Sequence, residues 1–354
     1  MIRSLLPLAL LGIFPHFSYA QTSVTLSGSI DAALEFVNED ANSGRVPGTR
    51  NGSDVRVSDG LWSGSRMTIS GTEDIGGGLK GIFNIEHRLS TDTGTITNPN
   101  VATTAGDRSQ FWAGQSWLGL QGSFGTFRFG RQYTPMFRAL VAGDVTGYSW
   151  YNNLSGGVPI TVGPGGWTAR FANAGTYQSP RLGGVTVHAA YAAGEDASEP
   201  IDNKMGDAYA VGGVGSFGPV NVGLAYQNID SGDTPGMRDA KEIGIAVGAK
   251  FGKYGVGLAH TQTESFNPAT SRRKMTYASA SAGIGVGTVY VVVFKDDRGG
   301  EDIDVIGATL TYSHGLSKRT FAYASLGYNK AEGVLTTGED FKPRRIALGV
   351  RHFF

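Results

Sequence analysis

The chain contains no cysteine, which rules out a disulfide framework and any thiolate metal site. It has no excess of charge of either sign: 30 basic residues stand against 30 acidic ones, so no basic surface is set up for nucleic acid. Beyond the opening segment, no stretch approaches the run of about 18 apolar residues that marks a membrane-spanning helix. Neither G-x-S-x-G nor H-E-x-x-H occurs, so the common hydrolase and metalloprotease motifs are missing. The six histidines are scattered, and His188, His260 and His314 have no carboxylate or second histidine close in sequence. They read as wall or rim residues. Gly283-Ile284-Gly285-Val286-Gly287 has no helix after it and therefore reads as a turn rather than a phosphate cradle. Nothing in the sequence asks for a metal or cofactor.

The chain is instead rich in glycine, with 54 residues spread among β-branched and aromatic side chains. That distribution suits many short strands, turns and closely packed strand faces rather than a linker. Residues 1–20 read as a secretory signal: Arg3 is the positive start, Leu5 to Phe14 the apolar core, and Ser18-Tyr19-Ala20 the small-x-small cleavage site. The remainder, 21–354, reads as one exported domain.

Period-two alternation governs that domain. In the last strand Ile346, Leu348, Val350 and His352 form one set, and Arg345, Ala347, Gly349 and Arg351 the other, before Phe353-Phe354. In the first, Val24, Leu26, Gly28, Ile30, Ala32, Leu34 and Phe36 oppose Thr25, Ser27, Ser29, Asp31, Ala33 and Glu35. Alternation of this kind puts the two sets on opposite faces of a sheet. Sixteen such stretches are predicted: 24–36, 65–73, 79–89, 111–121, 126–133, 169–178, 184–193, 206–217, 219–229, 241–251, 254–263, 273–284, 286–296, 302–313, 319–330 and 343–354.

Their connections sort by length. Short ones (74–78, 122–125, 180–183, 218–219, 252–253, 314–318) interleave with long polar ones (37–64, 90–110, 134–168, 194–205, 230–240, 264–272, 331–342). Short turns on one rim and long loops on the other describe an antiparallel transmembrane β-barrel of a Gram-negative outer membrane. In hydrocarbon every backbone polar group must be paired internally, so such a sheet has to close. At sixteen strands it encloses a water-filled lumen.

Four segments carry a family likeness. Ser65-Arg66-Met67-Thr68-Ile69-Ser70-Gly71-Thr72-Glu73-Asp74-Ile75-Gly76-Gly77-Gly78-Leu79-Lys80-Gly81 resembles a strand–turn–strand of general bacterial porins, in the form found in betaproteobacteria. Gly125-Thr126-Phe127-Arg128-Phe129-Gly130-Arg131-Gln132-Tyr133 resembles the strand entering that family's third loop, and Arg170 to Tyr177 the strand leaving it; the final Phe354 matches as well. The resemblance implies an all-β, sixteen-stranded homotrimer in outer-membrane lipid, with a long third loop, here 134–168, folded into each lumen. It implies passive diffusion of ions and small hydrophilic solutes, with no chemistry performed.

The resemblance also places a basic wall at Arg66, Arg131 and Arg170, opposite acidic residues of the third loop. Alternation independently turns Arg66, Lys80, Arg88 and Arg128 inward. It sends Arg131 outward unless a bulge at Gly130 re-aims it, as glycine bulges do. The third loop reads as 35 residues without regular structure; it carries Arg138, Tyr148, Trp150, Tyr151 and Trp167, and Asp144 is its only carboxylate. Three or four basic groups against one carboxylate predict a preference for small inorganic anions, tempered by Asp31, Glu35 and Glu86 on the lumen-facing set. A substrate-specific channel, with loop aromatics guiding sugars or organic acids, is the alternative. A barrel enzyme or a surface adhesin are the remaining readings.

Overall fold

The computed structural model describes residues 22–39, 52–96, 111–147, 169–194, 207–230, 238–264, 272–299, 303–332 and 344–354. The signal segment assigned to 1–20 lies outside them. The strands are β1 (Ser23–Glu39), β2 (Gly52–Asp59), β3 (Arg66–Gly76), β4 (Leu79–Arg88), β5 (Gln115–Gly122), β6 (Gly125–Tyr133), β7 (Arg170–Gln178), β8 (Val185–Ala192) and β9 (Ala208–Phe217). They continue as β10 (Val220–Ile229), β11 (Ala240–Phe251), β12 (Tyr254–Glu264), β13 (Arg272–Ile284), β14 (Gly287–Gly299), β15 (Ile303–Gly315), β16 (Thr320–Glu332) and β17 (Arg344–Phe353). Among the described residues one helix, α1 (Pro135–Val141), interrupts them.

Every neighbouring pair is antiparallel, and the sheet closes where β1 meets β17, from Ser29 opposite Phe353 to Asn38 opposite Arg344. Seventeen strands fill sixteen positions, because β2 and β3 share one. On the same edge of β1, residues 32–39 pair with β2 and residues 23–29 with β3. The long loop expected over 37–64 is thus shorter than predicted, and between β2 and β3 the chain leaves the wall over Gly60–Ser65. The strand expected at 111 begins at Gln115.

Exposure follows the alternation. In β1, Val24, Leu26, Leu34 and Phe36 are exposed, while Ser29, Asp31, Ala33 and Glu35 are buried. In β10 and β11, Val222, Leu224, Ile243, Ile245 and Val247 point out, while Ala225, Gln227, Glu242 and Ala246 are buried. Apolar side chains on the outside and polar ones within invert a water-soluble core, and they match a wall bathed in hydrocarbon. No helix among the described residues is long and apolar enough to cross a membrane, so the crossing is made by strands.

The third loop opens with structure. Thr134 caps α1 by accepting the Phe137 amide at 3.2 Å, and Pro135 occupies the first turn. The expectation of a wholly irregular segment is corrected here: Thr-Pro ahead of Met-Phe-Arg-Ala-Leu is a helix start. Pro135, Met136, Phe137, Ala139 and Leu140 are buried. They lie against the inward set, with Ala139 over Gly223 and with Met136 and Leu140 over Gly244. Farther on, Ala142 covers Gly248, Gly143 covers Gly257, and Ser279 donates to the Gly143 carbonyl at 3.3 Å. Residues 135–146 therefore run inside the barrel, across the wall from β8 to β13.

Candidate functional site: the lumen and its charges

Three arginines gather on one arc of the inner wall. Arg66, at the head of β3, stands opposite Ser29 on one side and Arg88 on the other, which fixes it on the inward set. Arg88 donates through Nε to Glu86 at 2.8 Å and through Nη2 to the Tyr133 hydroxyl at 3.1 Å. Arg170, at the head of β7, donates to the same hydroxyl at 2.5 Å and lies 4.2 Å above that ring. Tyr133 is in turn stacked on Phe137 of α1, with ring centroids 4.0 Å apart. Arg88, Arg170 and Arg66 all act electrostatically on Glu86, so one carboxylate serves three guanidinium groups.

Arg131 is placed differently. Gly130 has the positive φ of 122° that the expected irregularity needs, and the β6–β7 register shifts between Gly130 and Gln132. Across the other edge, however, Arg131 still pairs opposite Ser116, and its Nε donates to the Ala113 carbonyl at 2.9 Å. The structure thus ties Arg131 to the 111–114 turn and ties Arg88 and Arg170 to Tyr133. Strict alternation with Phe127 and Phe129 would send Tyr133 outward. Beyond Gly130 its hydroxyl instead enters the lumen cluster, which pattern reading alone missed.

Other predicted charges spread out. Arg128 lies over Trp117 at 5.2 Å and donates to Gln178 at 3.1 Å. Arg138 of α1 is within electrostatic reach of Arg128 and His188. Lys80 is exposed two residues beyond the Gly77-Gly78 turn, at the rim. Asp144 accepts the Thr146 amide at 2.7 Å and hydroxyl at 2.6 Å, and its charge reaches Tyr277 and Tyr290 on β13 and β14. Tyr148 and Trp150 lie outside the described residues.

Other inward carboxylates among the described residues have partners of their own, and Glu242 on β11 accepts from the Gln227 amide at 2.9 Å. Glu35 accepts from Arg56 at 2.8 Å, Ser58 at 2.6 Å and Arg345 at 3.3 Å. Asp296 takes a two-pronged contact from Arg273 at 2.6 and 3.0 Å. Asp31 accepts the amides of Trp62 and Ser63, both at 2.8 Å, and the Tyr323 hydroxyl at 2.7 Å, with Arg351 beside it. No group of three or more potential metal ligands is found among the described residues.

The profile of the Gram-negative porin family matches residues 8–333. The chain belongs to that family. This porin is 28% identical to outer membrane porin protein 32 of Delftia acidovorans over the whole of both chains. It is 26% identical to an outer membrane porin protein of Bordetella pertussis, again over the whole of both. Among solved structures, an anion-selective porin from Comamonas acidovorans superposes with a TM-score of 0.76 at 25% identity, covering 94% of this porin and all of that chain. An outer membrane protein of Vibrio cholerae in a trimer form gives a TM-score of 0.64 at 16% identity over 94% of this porin and 99% of that chain, a likeness of fold alone. The protein is a porin of the outer membrane.

Proposed function

We propose that this porin is a general diffusion channel for ions and small hydrophilic solutes, with a preference for small anions, and that it works as a homotrimer in outer-membrane lipid. The observation that carries the preference is the cluster of Arg66, Arg88 and Arg170 around the single carboxylate Glu86. Elsewhere on the inner wall Asp296 sits against Arg273, and Glu35 lies between Arg56 and Arg345, so the larger surplus of positive charge is on the arc of Arg66, Arg88 and Arg170. A low-dielectric wall focuses that field across the water path. The similar porin from Comamonas acidovorans is anion-selective, which supports the same sign. No bond is made or broken in this role, which assigns the protein no catalytic residue.

The basic wall is therefore Arg66, Arg88 and Arg170, with Arg128 and Arg138 adding positive charge nearby and Asp144 facing β13 and β14. The reversal potential of the purified protein in a planar bilayer under a salt gradient tests it. Stepwise conductance with an anion-signed potential is the expected result. A cation-signed potential would overturn the arginine reading and leave the channel. Absence of conductance from inserted protein would remove both.

A further inference from the structure

The segment Gly60–Ser65, between β2 and β3, folds inward as a strap. Leu61 and Trp62 are both buried, whereas alternation in an outer-membrane strand would turn one of two consecutive residues to the lipid. Leu61 and Trp62 cluster with Ala33, Tyr323 and Ala347 of the inner wall, with Tyr290 packed against the group. The Trp62 ring meets Tyr290 edge-on at 5.1 Å and Tyr323 at 5.5 Å. The strap thus covers the wall from β1 round to β14.

Its backbone is held largely by one residue, with the Ser65 carbonyl also accepting the Leu89 amide at 3.2 Å. The Asp31 carboxylate accepts the Trp62 and Ser63 amides, the Asp31 carbonyl accepts the Gly60 amide at 3.0 Å, and the Asp31 amide donates to Ser65 Oγ at 3.0 Å. Ser65 also donates to Asp59 at 2.6 Å. Such a density of bonds describes a fixed element rather than a loop resting on the wall.

Residues 135–146 of the third loop cover the adjoining stretch of wall, from β8 to β13. The two inward pieces bracket the arc β3–β7. At one end a β-carbon on Gly64 would lie 3.2 Å from Nη1 of Arg88; at the other, Phe137 stacks on Tyr133, the shared acceptor of Arg88 and Arg170. Arg66 follows the strap directly in sequence.

We infer that the Gly60–Ser65 strap is a second narrowing element of the channel, latched by Asp31, which together with the third loop confines the water path to the arginine-bearing arc. The inference rests on the channel reading above. Its consequence is that every permeating solute passes close to Arg66, Arg88 and Arg170 instead of spreading over the full width of the barrel.

Because the chain has no cysteine, Gly64→Cys gives a single addressable thiol beside Arg88. Single-channel conductance and reversal potential are recorded before and after adding a cationic or an anionic methanethiosulfonate. Labelling should lower conductance; the cationic reagent should move the potential toward anions and the anionic reagent toward cations. A thiol that labels without changing either quantity, or that cannot be reached from the chamber, would overturn the strap's role. Leu61→Gly combined with Trp62→Gly alters no charge and should raise conductance while reducing anion preference; unchanged values for both would also overturn it. Failure of the unmodified protein to conduct would instead sink the channel reading, so the two failures are distinguishable.

Discussion

Among single residues, the arginines divide by what holds them. Arg88 and Arg170 share the Tyr133 hydroxyl, whereas Arg131 is anchored on the Ala113 carbonyl. A unit charge about 4 Å from the ion path is worth about 1 kcal/mol even at water-like dielectric. Arg66→Gln, Arg88→Gln and Arg170→Gln should each lower the anion-to-cation permeability ratio several-fold, and Arg131→Gln clearly less. Reversal potentials of the four variants check this, and an equal or larger effect at Arg131 would return it to the wall. Asp31 has a different task, holding two backbone amides of the strap. Charge-assisted hydrogen bonds contribute roughly 1.5–3 kcal/mol each. Asp31→Ala should therefore lower the barrel's unfolding free energy by roughly 3 kcal/mol or more, measured by denaturant unfolding in detergent or lipid.

For whole elements, glycine on the inner wall makes room for the third loop. Ala139 sits over Gly223 so closely that no β-carbon fits between them. Gly223→Leu should displace α1 from β9–β11 and give larger, noisier conductance steps, with a packing cost of roughly 1–3 kcal/mol; steps of unchanged size and noise would show that the helix does not narrow the pore. The strands themselves were legible because lipid and lumen sort side chains by parity, as the exposed Leu34 and Phe36 beside the buried Ala33 and Glu35 show. β2 was not, since Val55 and Val57 are its only outward apolar residues and polar neighbours hide the alternation. The strap escaped for the opposite reason: Leu61 and Trp62 are apolar yet bury against the lumen wall. Tyr133 was lost to a positive-φ glycine three residues earlier, which pattern reading cannot follow. Arg66 and Arg170 could be found from the family likeness, but the meeting of Arg170 with Arg88 needed the fold, because β7 lies far from β3 and β4 in sequence.

For the barrel as a whole, the formal charge balance conceals a local imbalance. Among the described residues Glu35 and Asp296 are held by nearby guanidinium groups, and the largest surplus of cations lies on the β3–β7 arc. The field of that surplus reaches about 10 Å at 0.1 M salt and about 3 Å at 1 M. Anion preference should accordingly shrink markedly between those concentrations at a fixed salt ratio, as reversal potentials across the series will report; a preference independent of salt would point to discrimination by size instead. The pairing of β1 with β17 has a consequence for biogenesis. The two strands that seal the cylinder come from opposite ends of the described chain, so the seam is the last contact that export can complete. A chain interrupted before β17 leaves two unpaired edges, each a template for aggregation, and neither can be hidden in hydrocarbon. Completeness of synthesis is thereby tested by the topology itself, before any solute crosses.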